Sequence, residues 1–415
     1  MKSLLAVLAS LLLVGCIGRT TPTWQAALED GHAAAESGNY GEAIRCIRRA
    51  CELVAHDPAA KSDAAACQAQ LAIVLAMSGD AVGAEMAWRR AIDGFAATLG
   101  ADAPELAASC DALSRLVGAS GRMAEAEALL RRALAGRSDG VETAYRQAML
   151  ADAVRAQGRP NEAAPLYRQA IARWELRPGE EINLAMTLHG LAQCLPVTEA
   201  RPLLERALKL LEVLPNAAAA RAPILDTLAS ACIGLGDAPA AKAALLSALH
   251  IVEPTTPMAA LTLRGRLAAL DQATGSLQAA GRWQEVITGW ETARGKDAPE
   301  LVAPLFGLAD TLSGIGHSTE ALAPAERALH ILERSGTDRQ PYVTALNHMI
   351  SLCARAGDLR RALVLNETVC QIIERTLGTR DPNLVTALRN GAELQRRAGN
   401  AEAATALDRR ADSLR

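Results

Sequence analysis

One pattern recurs along most of the chain and limits its possible folds more than any other feature. Each copy contains an apolar stretch, a glycine, an alanine five residues after that glycine and a second alanine seven residues further on. Most neighbouring glycines are 35 to 45 residues apart, a spacing typical of stacked repeat units. The glycines assigned to this position are Gly38, Gly79, Gly121, Gly158, Gly236, Gly281, Gly316, Gly357 and Gly399.

The alanine pairs predict how the helices of the repeats pack. Seven residues make two helical turns, so both alanines of a pair lie on one face and allow a neighbouring helix to approach closely. The glycine provides the turn between the two helices of a unit. The pairs are Ala43 and Ala50, Ala84 and Ala91, Ala126 and Ala133, Ala163 and Ala170, Ala200 and Ala207, Ala241 and Ala248, Ala321 and Ala328, and Ala404 and Ala411.

The interval between Gly158 and Gly236 is twice the usual length, and "EARPLLERAL" at 199–208 supplies the missing unit, which makes ten. These units resemble tetratricopeptide repeats, especially the longer form found in kinesin light chains. The segments 294–329 and 376–407 carry the resemblance best. It covers 24–415 and implies an all-α, right-handed superhelical solenoid of about ten helix-turn-helix repeats.

The consensus aromatic residues of this family are also present. The position in the second helix is met by Trp88, Tyr167 and Trp290. The position just after the turn is met by Tyr40 and Trp283.

Two units depart from the pattern. The fifth lacks about one helical turn between its helices, and Leu195-Pro196 replaces the glycine turn. In the seventh, Val286 stands at the first small position, and the stretch before Gly281 is longer than usual. These units are predicted either to bend the superhelix or to be simple drift of the repeat sequence.

The N-terminal residues have the layout of an export signal: Lys2, an apolar run over 4–14, the small residue Gly15 and then Cys16. The run is too short to span a bilayer, which needs about twenty apolar residues. Residues 13–16, "LVGC", resemble the bacterial lipobox. The resemblance implies a signal peptide at 1–15 that is removed and a lipid on Cys16. The alternative is an ordinary signal peptide cut elsewhere.

Ile17 follows the cysteine where an acidic residue would resemble an inner-membrane retention signal. The resemblance therefore predicts an outer-membrane lipoprotein of the bacterial envelope that faces the periplasm. The lipidated tether, 16–23, would hold the repeats within about 25 Å of the membrane.

Composition and motifs argue against several other classes of function. The net charge is −3, from 43 basic and 46 acidic residues, with no basic stripe of the kind that binds nucleic acid. The chain lacks the His-Glu-x-x-His and Cys-x-x-Cys spacings of zinc sites and has no phosphate-binding loop. We therefore predict no catalytic residues, no metal and no cofactor.

Eight cysteines remain after Cys16. Cys110, Cys232 and Cys353 occupy apolar positions of first helices, and we expect them to be buried. Export would permit disulfides. The first pair to test is Cys51 with Cys67, and Cys46 competes with Cys51 for that partner.

A solenoid of this type leaves a concave surface lined by its first helices. The family resemblance implies that this surface binds a peptide or protein, with asparagines that clamp a peptide backbone. That motif is largely missing here, since only Asn347 and Asn390 occupy its positions, beside Asp111, His189, Asp226, Asp271 and Phe306 elsewhere.

Helical spacing gives the complete set of candidate groove residues, with acidic side chains mainly in the middle and basic ones toward the C-terminus. Aromatic residues are common among interface hot spots, which favours Tyr145 and Phe306 as anchors; alternatively, Phe306 packs against the next repeat. The candidates are Tyr145, Asp152, Arg155, His189, Asp226, Phe306, Asp310, Asn347, Ser351, Arg355, Arg389 and Arg396.

These observations predict a non-enzymatic scaffold, anchored to the outer membrane by its N-terminal lipid, that binds a partner protein or peptide in the concave groove. Two alternatives remain: an accessory or regulatory subunit of an envelope enzyme or secretion machine, and a lipoprotein that binds peptides or small ligands. The sequence shows no compact apolar cluster with convergent polar groups, which favours a protein partner.

Overall fold

The computed structural model describes residues 23–136, 140–335 and 339–414, and these form twenty α-helices, with no strand among them. The predicted signal peptide, Cys16 and most of the tether lie outside the described residues. The helices form ten consecutive pairs, as predicted. The predicted all-α repeat fold is confirmed.

The contacts divide the chain into two compact units, Met1–Ala207 and Leu208–Arg415. The helices that begin in the first unit are α1 (Thr23–Glu36), α2 (Tyr40–Ala55), α3 (Lys61–Met77), α4 (Ala81–Thr98), α5 (Pro104–Ala119), α6 (Met123–Leu134), α7 (Val141–Ala156), α8 (Pro160–Trp174), α9 (Glu181–Ala192) and α10 (Val197–Glu212).

Those of the second unit are α11 (Ala218–Gly234), α12 (Ala238–Val252), α13 (Pro257–Ala273), α14 (Ala279–Arg294), α15 (Val302–Gly314), α16 (Leu322–Arg334), α17 (Arg339–Ala356), α18 (Leu359–Thr376), α19 (Pro382–Arg397) and α20 (Ala401–Ser413). A short 3-10 turn, Pro299–Leu301, precedes α15. Odd-numbered helices are the first helices of their repeats, and even-numbered helices are the second.

The turn within a repeat is built by two adjacent residues. Gly79 ends α3 with φ of +88°, a backbone conformation that residues with a side chain rarely adopt. The next residue, Asp80, accepts a hydrogen bond from the Gly83 amide at 2.8 Å and so caps α4. The pairs Gly236-Asp237 and Gly357-Asp358 repeat this arrangement. A single dipeptide therefore stops one helix and starts the next.

The paired alanines lie in the core, as their spacing predicts. Every one of them is at most 4 % exposed. The ninth repeat uses Ala362 and Val369 at the same spacing, and both are 0 % exposed. Cys110, Cys232 and Cys353 are also buried, which confirms the prediction made from their positions.

The fifth repeat has the shortened first helix that the sequence predicts, since α9 spans 12 residues whereas α7 spans 16. Its turn at Leu195-Pro196 contains no residue with positive φ. The amide of Ala200 donates to the Pro196 carbonyl at 2.9 Å and starts α10. The turn is therefore closed without the glycine used by the other repeats.

The predicted turn of the seventh repeat is wrong. Gly281 lies inside α14, and the residue with positive φ is Gly275, at +69°. The buried small residue is Ala279, and Val286 occupies the second position of the pair, seven residues later. Both Gly275 and Gly281 lie 35 to 45 residues from the neighbouring turn glycines, and only Gly275 adopts the left-handed conformation that follows α13.

The corrected register also reassigns Trp283. It lies four residues after the first small residue Ala279, as Tyr167 does after Ala163, so it is the aromatic of the second helix rather than of the turn. The packing agrees, because a Cβ on Gly307 of the next first helix would lie 2.5 Å from the Trp283 ring. A Cβ on Gly190 would likewise lie 2.5 Å from the Tyr167 ring. In both places a glycine makes room for the aromatic ring of the preceding repeat.

Candidate partner-binding groove

The predicted groove residues differ in how much of each is accessible to a partner. Tyr145 is 38 % exposed. Asp152, Asn347, Ser351, Arg355, Arg389 and Arg396 are also exposed, and Arg155, Asp226 and Asp310 are half-buried. His189 and Phe306 are buried at 8 % and 9 % exposure. Ten of the twelve candidates can therefore meet solvent, and two cannot.

Phe306 is not the exposed anchor that the sequence suggested. Its ring stacks on His348 of the next first helix, with ring centroids 4.6 Å apart and an interplanar angle of 16°. The alternative, in which Phe306 packs against the next repeat, is the one the structure shows. His348 also makes a 2.7 Å hydrogen bond to Asp310 through Nε2, so this cluster holds α15 against α17.

The side chain of His189 on α9 is likewise buried. Its Nε2 lies 2.9 Å from Nε2 of Gln193. Burial lowers the pKa of His189, because the charged imidazolium loses hydration there. Neighbouring residues therefore cover most of His189, which leaves little of its surface for a partner.

In the first unit, an ion pair bridges the first helices of the third and fourth repeats. Nε of Arg146 on α7 donates to Oδ2 of Asp111 on α5 at 2.8 Å, and the two side chains are 8 % and 14 % exposed. Burial raises the pKa of Asp111, against the opposing effect of Arg146. We call this buried ion pair the sealed junction.

The candidates Asp152 and Arg155 on α7 belong to a hydrogen-bond network with Tyr167 on α8, the second helix of the same repeat. The buried Tyr167 hydroxyl donates to Asp152, and Nε of Arg155 donates to the Tyr167 oxygen at 3.1 Å. Burial is the largest cause that raises the pKa of Tyr167, and the adjacent Asp152 carboxylate adds to it. Both candidates therefore have intramolecular partners that fix their positions.

The charged candidates of the second unit are also paired. Asp226 accepts a hydrogen bond from Arg266, and Asp310 lies 3.6 Å from Arg355. Arg389 pairs with Asp412 at 3.3 Å. Arg396 pairs with Glu393 at 3.0 Å and with Asp408 at 2.8 Å. The basic residues predicted to gather near the C-terminus therefore have carboxylates beside them.

A different arrangement lies between the first helices of the ninth and tenth repeats. Here α17, α19 and the C-terminal end of α18 line a cavity of about 290 Å³ that is open to solvent. We call it the amide groove. It is lined by Gln340, Val343, Thr344, Asn347, Val369, Ile372, Ile373, Thr376, Leu377, Asn383, Thr386, Ala387 and Asn390.

The lining of the amide groove divides into two chemical parts. Val343, Val369, Ile373 and Ala387 are at most 9 % exposed and form an aliphatic floor. Side-chain amides and hydroxyls of α17 and α19 line the walls, and Ile372, Thr376 and Leu377 from the end of α18 complete the lining. None of the lining residues carries a charge. The groove can therefore hold an aliphatic group on its floor and exchange hydrogen bonds at its walls.

Sequence reasoning found Asn347 but missed most of the other polar residues of the groove. Gln340, Thr344 and Asn347 follow each other at spacings of four and three residues, as Asn383, Thr386 and Asn390 do at three and four. Such spacings place side chains on one face of a helix. The signal was therefore present as two parallel rows of uncharged polar residues on adjacent first helices.

Comparison with known proteins agrees with the repeat architecture. The family model described as tetratricopeptide repeat matches residues 143–176, which cover most of α7 and α8. The described helices continue the same two-helix unit on either side of this match. The fold is that of a tetratricopeptide-repeat protein. No curated protein matches the sequence.

Several solved structures resemble this tetratricopeptide-repeat fold. A signal transduction ATPase with numerous domains that carries a tetratricopeptide repeat sensor, from Pyrococcus horikoshii, has a TM-score of 0.59 and 14 % identity; the match covers 85 % of this chain and 52 % of that one. This chain thus spans about half the length of that ATPase. Aspartyl phosphate phosphatase F from Bacillus subtilis has a TM-score of 0.50 and 11 % identity, over 88 % of this chain and 97 % of that one.

A putative kinesin light chain with nearly identical repeats, from Podosopora anserina, is 24 % identical over 50 % of this chain and 98 % of that one, with a TM-score of 0.39. At these identities the first two likenesses concern the fold alone. Within the described residues, no cluster of three or more potential ligands could hold a metal ion. None of the described helices combines the length and the apolar character needed to cross a bilayer.

Proposed function

We propose that this tetratricopeptide-repeat protein is a non-enzymatic scaffold that binds an extended, uncharged segment of a partner protein in the amide groove. The observation that carries this proposal is the uncharged lining of that groove. The sealed junction and the charged candidate residues use their charges on intramolecular pairs, whereas the amide groove offers hydrogen-bonding groups around open space.

The chemistry of the groove favours a peptide backbone as the ligand. A peptide in an extended conformation presents N–H and C=O groups that side-chain amides can match as both donor and acceptor. Alternate side chains of such a peptide point the same way, so one aliphatic side chain can reach the floor formed by Val369 and Ile373. A charged side chain would lose hydration there without a counter-charge among the lining residues.

The size of the groove favours a peptide over a small molecule. Pockets for drug-sized ligands usually enclose about 300 to 1,000 Å³ and bury most of the ligand. The amide groove, at about 290 Å³, lies just below that range and is open to solvent along α17 and α19. It therefore suits a few residues of a longer chain.

A randomised peptide library displayed on phage tests this proposal. The purified protein should enrich uncharged peptides with an aliphatic residue, and replacing Asn347 and Asn390 together by Ala should weaken the enriched peptides at least about tenfold, as expected when two hydrogen bonds of about 1 kcal/mol each are lost. Asn400→Ala is the matched control, because Asn400 is exposed, bonds to Gln395 and lies outside the groove. Equal binding by the double variant, or enrichment of charged peptides, would refute the assignment.

We further propose that the scaffold is attached to the periplasmic face of the outer membrane through a lipid on Cys16. The support is the sequence "LVGC" at the end of an apolar run, and multiple acyl chains make such anchoring stable. Cells fed an alkyne-bearing fatty acid should label the wild-type protein and should not label Cys16→Ser. Labelling that survives this substitution would contradict the anchor and leave the groove assignment unaffected.

A further inference from the structure

Two buried thiols meet between the first and second repeats, at a place that the proposed peptide site does not use. Cys51 lies near the end of α2 and Cys67 near the start of α3, and these helices pack against each other. Cys51 is 7 % exposed and Cys67 is 1 % exposed. The thiol groups of Cys51 and Cys67 interact with each other, so their sulfurs lie close together.

The competing cysteine, Cys46, has a different partner in the structure. Sγ of Cys46 donates to Oε1 of Glu42 at 3.4 Å, one turn back along the same helix. Cys46 is half-buried, whereas Cys51 and Cys67 face the core. Cys67 therefore has Cys51, rather than Cys46, as its thiol neighbour.

We propose that Cys51 and Cys67 are a redox site that a small disulfide of the glutathione type converts into a covalent link between the first and second repeats. The Cys51 thiolate attacks one sulfur of the donor disulfide, and the donor S–S bond breaks to release one thiolate. Cys67 then loses its proton and attacks the Cys51 sulfur, which releases the second donor thiol. Two protein thiols are thereby oxidised to one disulfide, and one donor disulfide is reduced to two thiols.

The order of attack follows from the surroundings of the two sulfurs. The hydrogen bond from Cys67 stabilises the Cys51 thiolate and lowers the pKa of Cys51, which Arg90 also favours and which burial and Glu52 oppose. The same hydrogen bond, burial and the Cys51 charge raise the pKa of Cys67, with a further contribution from Asp63. When Cys51 is in a mixed disulfide its charge is gone, so Cys67 ionises more easily in the second step.

Peptide mapping of the full chain tests this link. The reduced protein is incubated with oxidised glutathione to equilibrium, quenched with acid, alkylated with N-ethylmaleimide and digested with trypsin without reduction. Trypsin places Cys46, Cys51 and Cys67 in three different peptides, 46–48, 50–61 and 62–89. We expect 50–61 joined to 62–89, with a mass about 2 Da below the sum of the two thiol peptides, and we expect reduction to separate them.

Single substitutions assign the role of each thiol. Cys51→Ser and Cys67→Ser should both abolish the link, and Cys46→Ser, the matched control on α2, should keep it. Cys67→Ser should accumulate glutathione on Cys51, whereas Cys51→Ser should carry little on Cys67. Circular dichroism checks that each variant folds, and Cys→Ala replaces Cys→Ser where a buried hydroxyl prevents folding.

Two outcomes would overturn the proposal. One is a link between 46–48 and 62–89, and the other is full alkylation of Cys51 and Cys67 after equilibration with the oxidant. Neither outcome bears on peptide binding by the amide groove, because the groove lies in residues 340–390.

Discussion

The sealed junction and the amide groove both lie between the first helices of neighbouring repeats, the third and fourth in one case and the ninth and tenth in the other. They differ in the side chains that occupy them. In the sealed junction, Arg146 and Asp111 lie 2.8 Å apart and are largely withdrawn from water. In the amide groove, Asn347 and Asn390 line a cavity of about 290 Å³. At the sealed junction a buried ion pair bridges the two first helices, whereas in the amide groove uncharged side chains line open space.

The largest effect is expected when the sealed junction loses one charge. Asp111→Ala leaves the Arg146 guanidinium buried without its partner, which should lower the free energy of unfolding by about 3 kcal/mol. Urea unfolding followed by circular dichroism measures this loss. Arg389→Ala, at an exposed ion pair with Asp412, is the control and should change stability by less than about 1 kcal/mol. Equal losses would mean that the junction is not sealed from water.

Lowering the pH should reduce the stability of the first unit, because protonation of Glu127 removes its interactions with neighbouring arginines. Burial opposes ionisation of this carboxylate, but hydrogen bonds from Arg131, Gln157 and Arg159 outweigh it and lower the pKa of Glu127 to about 2. Because the folded pKa lies below the ordinary value of 4.5, the stabilisation is present above that value and is lost as the pH falls from 4.5 toward 2.

Glu127→Gln should therefore remove about 2 kcal/mol at pH 7 and much less at pH 2. Unfolding by urea at both pH values measures the difference. The exposed Glu393→Gln serves as control, with a small effect at either pH. A Glu127→Gln penalty that does not depend on pH would contradict this interpretation.

The turn at Gly275, which lies outside the sealed junction and the amide groove, tests the size of a local backbone effect. Gly275→Ala puts a side chain on a residue with φ of +69° and should cost about 1 kcal/mol. Gly281→Ala, inside α14 with no atom within 4 Å of the added Cβ, should instead stabilise the protein by up to about 1 kcal/mol. Thermal unfolding of the two variants compares them. Destabilisation by Gly281→Ala together with stabilisation by Gly275→Ala would restore the register predicted from sequence.

The smallest effect on stability is expected in the amide groove. Asn347→Ala removes an exposed side chain and should change the free energy of unfolding by less than about 0.5 kcal/mol. The same change should weaken peptide binding. Unfolding and binding measured on the same preparation separate the two effects, and a large loss of stability would show that Asn347 supports the fold rather than a ligand.

The sequence predicts the repeat fold well, because each repeat is specified by local spacing. The alanine pairs and the order of the helices required only regular intervals along the chain. Gly281 was misassigned because it fits the same interval as Gly275, and the sequence does not reveal which glycine has positive φ.

The candidate site was less predictable. Projection onto one helix identifies the face on which a residue lies, but it does not show what the next repeat places over that face. Phe306 is covered by the ring of His348, and Arg396 is paired with Asp408 from the following helix. Asn347 and Asn390 are recognisable from their places in the repeat motif, whereas the other polar wall residues emerge only when two adjacent first helices are compared.

The central claim is that ligand binding occurs in the amide groove and not at the sealed junction. Hydrogen–deuterium exchange of the full chain, with and without a saturating peptide selected from the library, tests it most directly. We expect slower exchange in α17, α18 and α19, centred on residues 340–390, and unchanged exchange in α5 and α7. Protection concentrated in α5 and α7, with none in α17 or α19, would contradict the account.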